Sequence, residues 1–92
     1  MNGRTPLMTA AISGKTEILM MLLEAKADAD TQDKDGWTAL HMAAHEGRVD
    51  VVKILIKVQD QINVLTKDGK APIDLARAKG HFGIAELLTI IL

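Results

Sequence analysis

Residues 35–47 read "DGWTALHMAAHEG", and the order of these letters defines a short structural unit. Asp35-Gly36 makes a turn, with Gly36 supplying the positive φ that such turns need. Thr38 can cap a following helix. An alanine-rich helix of about eight residues comes next, and Gly47 ends it as a left-handed cap. His41 and His45 lie one helical turn apart within it, so a metal site or the start of a catalytic site has to be weighed against a structural role.

The same unit recurs on both sides at a fixed spacing. Gly3, Gly36 and Gly69 are separated by 33 residues, and so are Gly14, Gly47 and Gly80. Laying residues 3–35 over 36–68 without a gap aligns Thr5 with Thr38, Leu7 with Leu40 and Ala10-Ala11 with Ala43-Ala44. A third copy, 69–92, keeps Gly69, Ala76, Gly80 and Leu88 and is shorter. Pro6 and Pro72 fall at the first position of their helices, where a missing N–H costs nothing. A second helix follows in each copy, over 16–25, 50–58 and 82–91. Its apolar residues recur at helical spacing: Ile18, Leu19, Leu22 and Leu23; Val51, Val52, Leu55 and Ile56; Ile84, Leu87, Leu88 and Ile91. The alanines let the first helix lie close against its neighbours. One helix pair cannot bury its own apolar face, so the copies must stack.

The segments "GRTPLMTAAISG", "GWTALHMAAHEG" and "KAPIDLARAKG", with "TEILMMLLEAKADADTQDKDG" and its counterparts, resemble ankyrin repeats over nearly the whole chain. The resemblance implies an all-α ankyrin repeat solenoid: stacked helix-turn-helix pairs with β-turn or hairpin fingers projecting sideways. Residues 1–92 then form one domain, with repeats at 3–35, 36–68 and 69–92. In this family His41 occupies a slot where the imidazole hydrogen-bonds backbone and neighbouring turns. Several residues depart from the pattern. Met8 replaces that histidine in repeat one, Ala39 replaces a proline, and Lys26 and Gln59 stand where glycine is favoured after the second helix. A positive φ at either would cost up to ~1 kcal/mol relative to glycine. "VQDQINVLT" (58–66) replaces a glycine-alanine-aspartate loop, which predicts a distorted finger. Asp74, Arg77 and Thr89 are polar substitutions that suit a terminal, capping repeat. Repeat one has no such cap, so a longer array or association through its alanine and leucine face is expected.

Composition narrows the function. The chain has 92 residues and a net charge of −1, which gives no global field for nucleic acid or acidic lipid. A domain of this size hides roughly 60–65% of its surface on folding, so its stability is modest. There is no cysteine, which excludes disulfides and thiolate chemistry. "MNGRTPLMTA" lacks the basic and apolar regions of a signal peptide, and "ILMMLL" (18–23) is far below the ~20 residues of a membrane span. A cytoplasmic or nuclear protein is the expectation.

The chemical motifs fall away one by one. The helix carrying His41 and His45 lacks the glutamate of a metalloprotease helix. "GKT" (14–16) needs a glycine five residues earlier to form a phosphate loop, and Thr9 is there. "DADTQDKDG" (28–36) has four aspartates in no calcium-loop frame. No catalytic constellation, cofactor site or metal site is predicted. Gly14, Gly36, His41, Gly47, Gly69 and Gly80 take structural roles.

The surface remains. The resemblance implies docking on the concave side, on finger tips and the exposed positions of the first helices. These are Arg4, Ile12 and Ser13; Lys34, Asp35, Trp37, His45 and Glu46; and Lys67, Asp68, Lys70, Ala78 and Lys79. Trp37 is the lone tryptophan and sits at a finger position, either as a binding anchor or as a ring packed on a neighbouring finger. The leading expectation is a non-enzymatic module that binds a protein. The alternative is a structural segment of a longer array that can self-associate through its uncapped face.

Overall fold

The computed structural model describes residues 3–59 and 61–91, the last two of these as backbone only. Six helices follow in order: α1 (Pro6–Ser13), α2 (Thr16–Glu24), α3 (Ala39–Glu46), α4 (Val49–Val58), α5 (Pro72–Ala78) and α6 (Phe82–Ile91). They pair as α1/α2, α3/α4 and α5/α6, one pair per copy. The first helices form an inner layer, with α3 packed between α1 and α5, and α2, α4 and α6 form the outer layer. No strand is present among the described residues. The side chains of Ile90, Ile91 and Leu92, among them the Ile91 assigned to the apolar face of the last helix, lie outside the described residues.

α1 and α3 start through the same reciprocal cap, and α5 keeps only half of it, because Ala71 has no side-chain acceptor. Thr5 and Thr38 have extended backbones, and their hydroxyls accept the Met8 and His41 amides. In return the side chain three residues on takes the N-cap amide: the Thr5 amide donates to Met8 Sδ at 3.4 Å, Thr38 to His41 Nδ1 at 3.0 Å, and Ala71 to Asp74 Oδ2 at 2.9 Å. This reciprocal cap satisfies helix-end donors that would otherwise be orphaned. The histidine slot therefore tolerates methionine and aspartate, because its local task is only to accept one hydrogen bond.

Stacking is closest where the side chains are smallest. Ala10, Ala43 and Ala76 are 4%, 0% and 0% exposed, so the inner helices approach through these positions. The neighbouring slot separates interior from end: Ala11 and Ala44 are buried, while Arg77 is exposed. A second tie runs between consecutive copies. Arg48 Nε donates to the Ile12 carbonyl at 2.9 Å, and one copy later His81 Nε2 bonds the His45 carbonyl at 3.1 Å. Both side chains satisfy a carbonyl at the C-terminal end of the preceding inner helix, where a donor or cation is favoured.

The fingers are tight turns one residue wider than the Asp-Gly pairs alone. Asp33 and Gly36 are joined by an amide–carbonyl bond of 3.0 Å, and Asp33 donates to the Trp37 carbonyl at 2.9 Å. Thr66, Gly69 and Lys70 repeat the pattern at 2.9 Å for both bonds. The finger after "VQDQINVLT" is therefore intact, contrary to the expected distortion. Residue 59 departs from its counterpart: its backbone is extended at φ −97°, while Lys26 adopts φ 70°. Adjacent fingers are joined by the Lys67 amide donating to the Asp35 carbonyl at 3.0 Å. Gly36 has no alternative here: φ is 83°, and a Cβ would lie 2.9 Å from the Lys67 nitrogen.

Candidate functional site: a groove beside Trp37

The turn geometry aims the tryptophan. Asp33 Oδ1 accepts the amides of Asp35 and Trp37, each at 2.9 Å. That Asx-type bond fixes the backbone of residue 37, and its side chain lies along α3 beside His41 and His45. The indole is half-buried against the core. It meets the His45 ring edge-on, with centroids 5.3 Å apart, and the His41 ring at 6.2 Å and a 42° tilt. Trp37 therefore packs and also contributes an open ring surface, where the sequence left the two roles as alternatives.

That surface forms one wall of a groove of about 260 Å³. Arg4, Ile12, Asp33, Asp35, Trp37, Met42, His45 and Glu46 line it. The finger at 33–37, Arg4 ahead of α1, the end of α1 and one face of α3 thus converge. Five of the partner-contact residues expected from sequence, together with Ile12, meet here. Lys34, Lys67, Asp68, Lys70 and Lys79, with Ser13 and Ala78, are exposed but do not line the groove. Asp33 and Met42 were not among the expected contacts. Met42 shares a helix face with His45 and Glu46 through its spacing of three and four residues, a signal present in the sequence.

The two histidines have different roles. His41 is fully buried. Its Nδ1 accepts from the Thr38 amide and lies 2.8 Å from Thr38 Oγ1, and its Nε2 faces the Lys70 carbonyl at 3.1 Å. A carbonyl can only accept, so Nε2 carries the proton and Nδ1 is the acceptor, which is the neutral imidazole. Burial holds the ring below its ordinary pKa, against the upward pull of the Lys70 carbonyl. His41 thereby ties α3 to the next finger, and both of its nitrogens are committed. His45 is half-buried rather than simply exposed, and its Nδ1 donates to Glu46 Oε2 at 2.9 Å. This bond keeps the Glu46 carboxyl below its usual range, so it is ionised at neutral pH.

A family model described as Ankyrin repeats (3 copies) matches residues 7–90. With the 33-residue period and the stacked helix pairs, this places the chain in the ankyrin repeat family. The mouse (Mus musculus) protein named Ankyrin repeat and SAM domain-containing protein 6 is 49% identical over 39 residues. That match spans 41% of this chain and 4% of the mouse protein. Ankyrin repeats generally serve as protein–protein interaction modules. No helix among the described residues is long and apolar enough to cross a membrane.

Proposed function

We propose that this chain is a non-enzymatic interaction module that binds a protein partner through its concave face, seated on the groove beside Trp37. The observation that carries this reading is the half-buried indole with Ile12 and Met42 beside it and charged residues around them. An apolar anchor surface inside a polar rim is the usual composition of a protein-binding hot spot. Asp35, Glu46 and Arg4 act as rim contacts. Lys34, Lys67, Lys70, Asp68 and Lys79 act as outlying contacts on the adjoining finger tips and on the end of α5. Peptides selected by display on the folded chain should shift the amide resonances of Ile12, Trp37, Met42 and His45. Shifts confined to α2, α4 and α6 would contradict the proposal.

A second reading, as a segment of a longer or self-associating array, is favoured by one slot. Ile18 is 47% exposed, whereas its counterparts Val51 and Ile84 are each 1% exposed. Met21, at 67%, extends the same apolar face. Sedimentation of wild type and Ile18→Gln tests self-association: concentration-dependent growth lost in the variant supports it, and a monomer in both rejects it.

A further inference from the structure

We infer that the groove beside Trp37 accepts an arginine side chain of a partner protein, with an adjoining aliphatic residue laid against Ile12 and Met42. The inference rests on the reading of the concave face as a protein-binding surface.

Size comes first. At about 260 Å³ the groove falls below the ~300–1,000 Å³ of clefts that engulf a whole small molecule. It has room for a long side chain with its neighbour. Charge comes next. Asp33, Asp35 and Glu46 line the groove against one cation, Arg4. With His45 neutral this makes a formal charge of −2 in one patch of a chain whose total is −1. The lysines do not line the groove, although Arg48 and Lys79 are near enough to act on Glu46, so it is the finger side of the groove, at Asp33 and Asp35, that favours a cation over a phosphate.

The placement of these acids suits a cation over an aromatic ring. Asp33 and Asp35 stand on the finger beside Trp37, while Glu46 stands across the groove at the end of α3. Among the described residues, Asp33 gives Oδ1 to the turn amides and Glu46 gives Oε2 to His45, so the other carboxylate oxygen of each is the atom a bound cation would meet. A guanidinium is planar, donates through several N–H groups and stacks on indole faces, so it can use the ring and the carboxylates together. An ammonium is a compact point charge and engages fewer of them at once.

The test uses the peptide acetyl-GSRLSG-amide and versions with lysine, citrulline or glutamate in place of arginine. Trp37 is the only tryptophan and there is no tyrosine, so indole fluorescence reports this site alone. Amide-shift mapping locates the peptide independently. The arginine peptide should bind about tenfold more tightly than the citrulline and glutamate peptides, a difference of ~1.4 kcal/mol. The double variant Asp35→Asn with Glu46→Gln should remove most of that preference without lowering the melting temperature. Equal binding of arginine and citrulline peptides at the groove overturns the cation preference and leaves the concave-face reading standing. Shifts confined to the finger-tip lysines overturn the inference alone, and shifts confined to the outer helices overturn both. No saturable change with any peptide up to about 10 mM overturns the inference.

Discussion

Leu22 in repeat one and Leu55 in repeat two are the same residue in the same slot, yet Leu55 is fully buried and Leu22 only partly so. Ile18 and Val51 differ more sharply, at 47% and 1% exposed. The apolar slots are the same in the two copies, so the difference comes from the neighbours. Among the described residues, repeat two is covered from both sides, and repeat one from the side of α3 and α4. Burial in this protein is conferred by stacking.

The largest effects follow from that contrast. Leu55→Ala should cost about 2–5 kcal/mol, the range for emptying a sealed core site. Leu22→Ala should cost about half as much, since part of its surface already meets water. Urea unfolding of both variants checks this, and equal losses would break the comparison.

The next effect concerns the histidine slot. Repeat one uses Met8 for the cap alone, whereas His41 also reaches the Lys70 carbonyl. His41→Met copies repeat one into repeat two and leaves that carbonyl without its donor. The expected loss is about 1–3 kcal/mol at neutral pH. The wild type also carries a pH signature. Its native state holds His41 neutral, with a pKa below the model-compound value of 6.5. The unfolded chain then binds more protons once the pH falls below 6.5, so stability declines from there down through the native pKa and is flat above 6.5 as far as this group is concerned. The His41→Met chain should show a shallower decline over the same range. An unchanged acid profile would show that His41 does not set it.

A smaller effect separates the two helix ends after α2 and α4. Lys26 holds φ 70°, a conformation that costs a non-glycine residue about 1 kcal/mol. Lys26→Gly should therefore raise stability by about that amount. Gln59 is extended and buried, so Gln59→Gly should give no gain and lose packing. Thermal melts that improve equally in both variants would contradict the assignment.

These residues also mark how far the sequence could be read. The 33-residue period, the glycine and threonine caps and the packing alanines are local signals, and the helices follow them within one or two residues. Lys26 and Gln59 occupy equivalent slots in the sequence, but the chain leaves α4 along a different path, a choice made by the tertiary surroundings of residue 59. The finger after it is restored by Thr66, whose hydroxyl accepts the Lys70 amide at 3.1 Å as Asp33 accepts that of Trp37. In the groove, the resemblance to ankyrin repeats is what points to Trp37, His45 and Glu46 as partner-facing positions. It cannot say that the lysines of the fingers turn away, or that Asp33 and Met42 turn in, because those directions depend on how two fingers and two helices meet.

The most direct test of the binding account is the affinity of one display-selected peptide for three chains. These are wild type, Trp37→Ala and Leu65→Ser, the last altering a residue that is 55% exposed and does not line the groove. With all three shown to be folded by circular dichroism, binding should weaken at least tenfold in Trp37→Ala, the loss expected at a hot spot, and stay unchanged in Leu65→Ser. Undiminished binding by a folded Trp37→Ala chain would contradict the account.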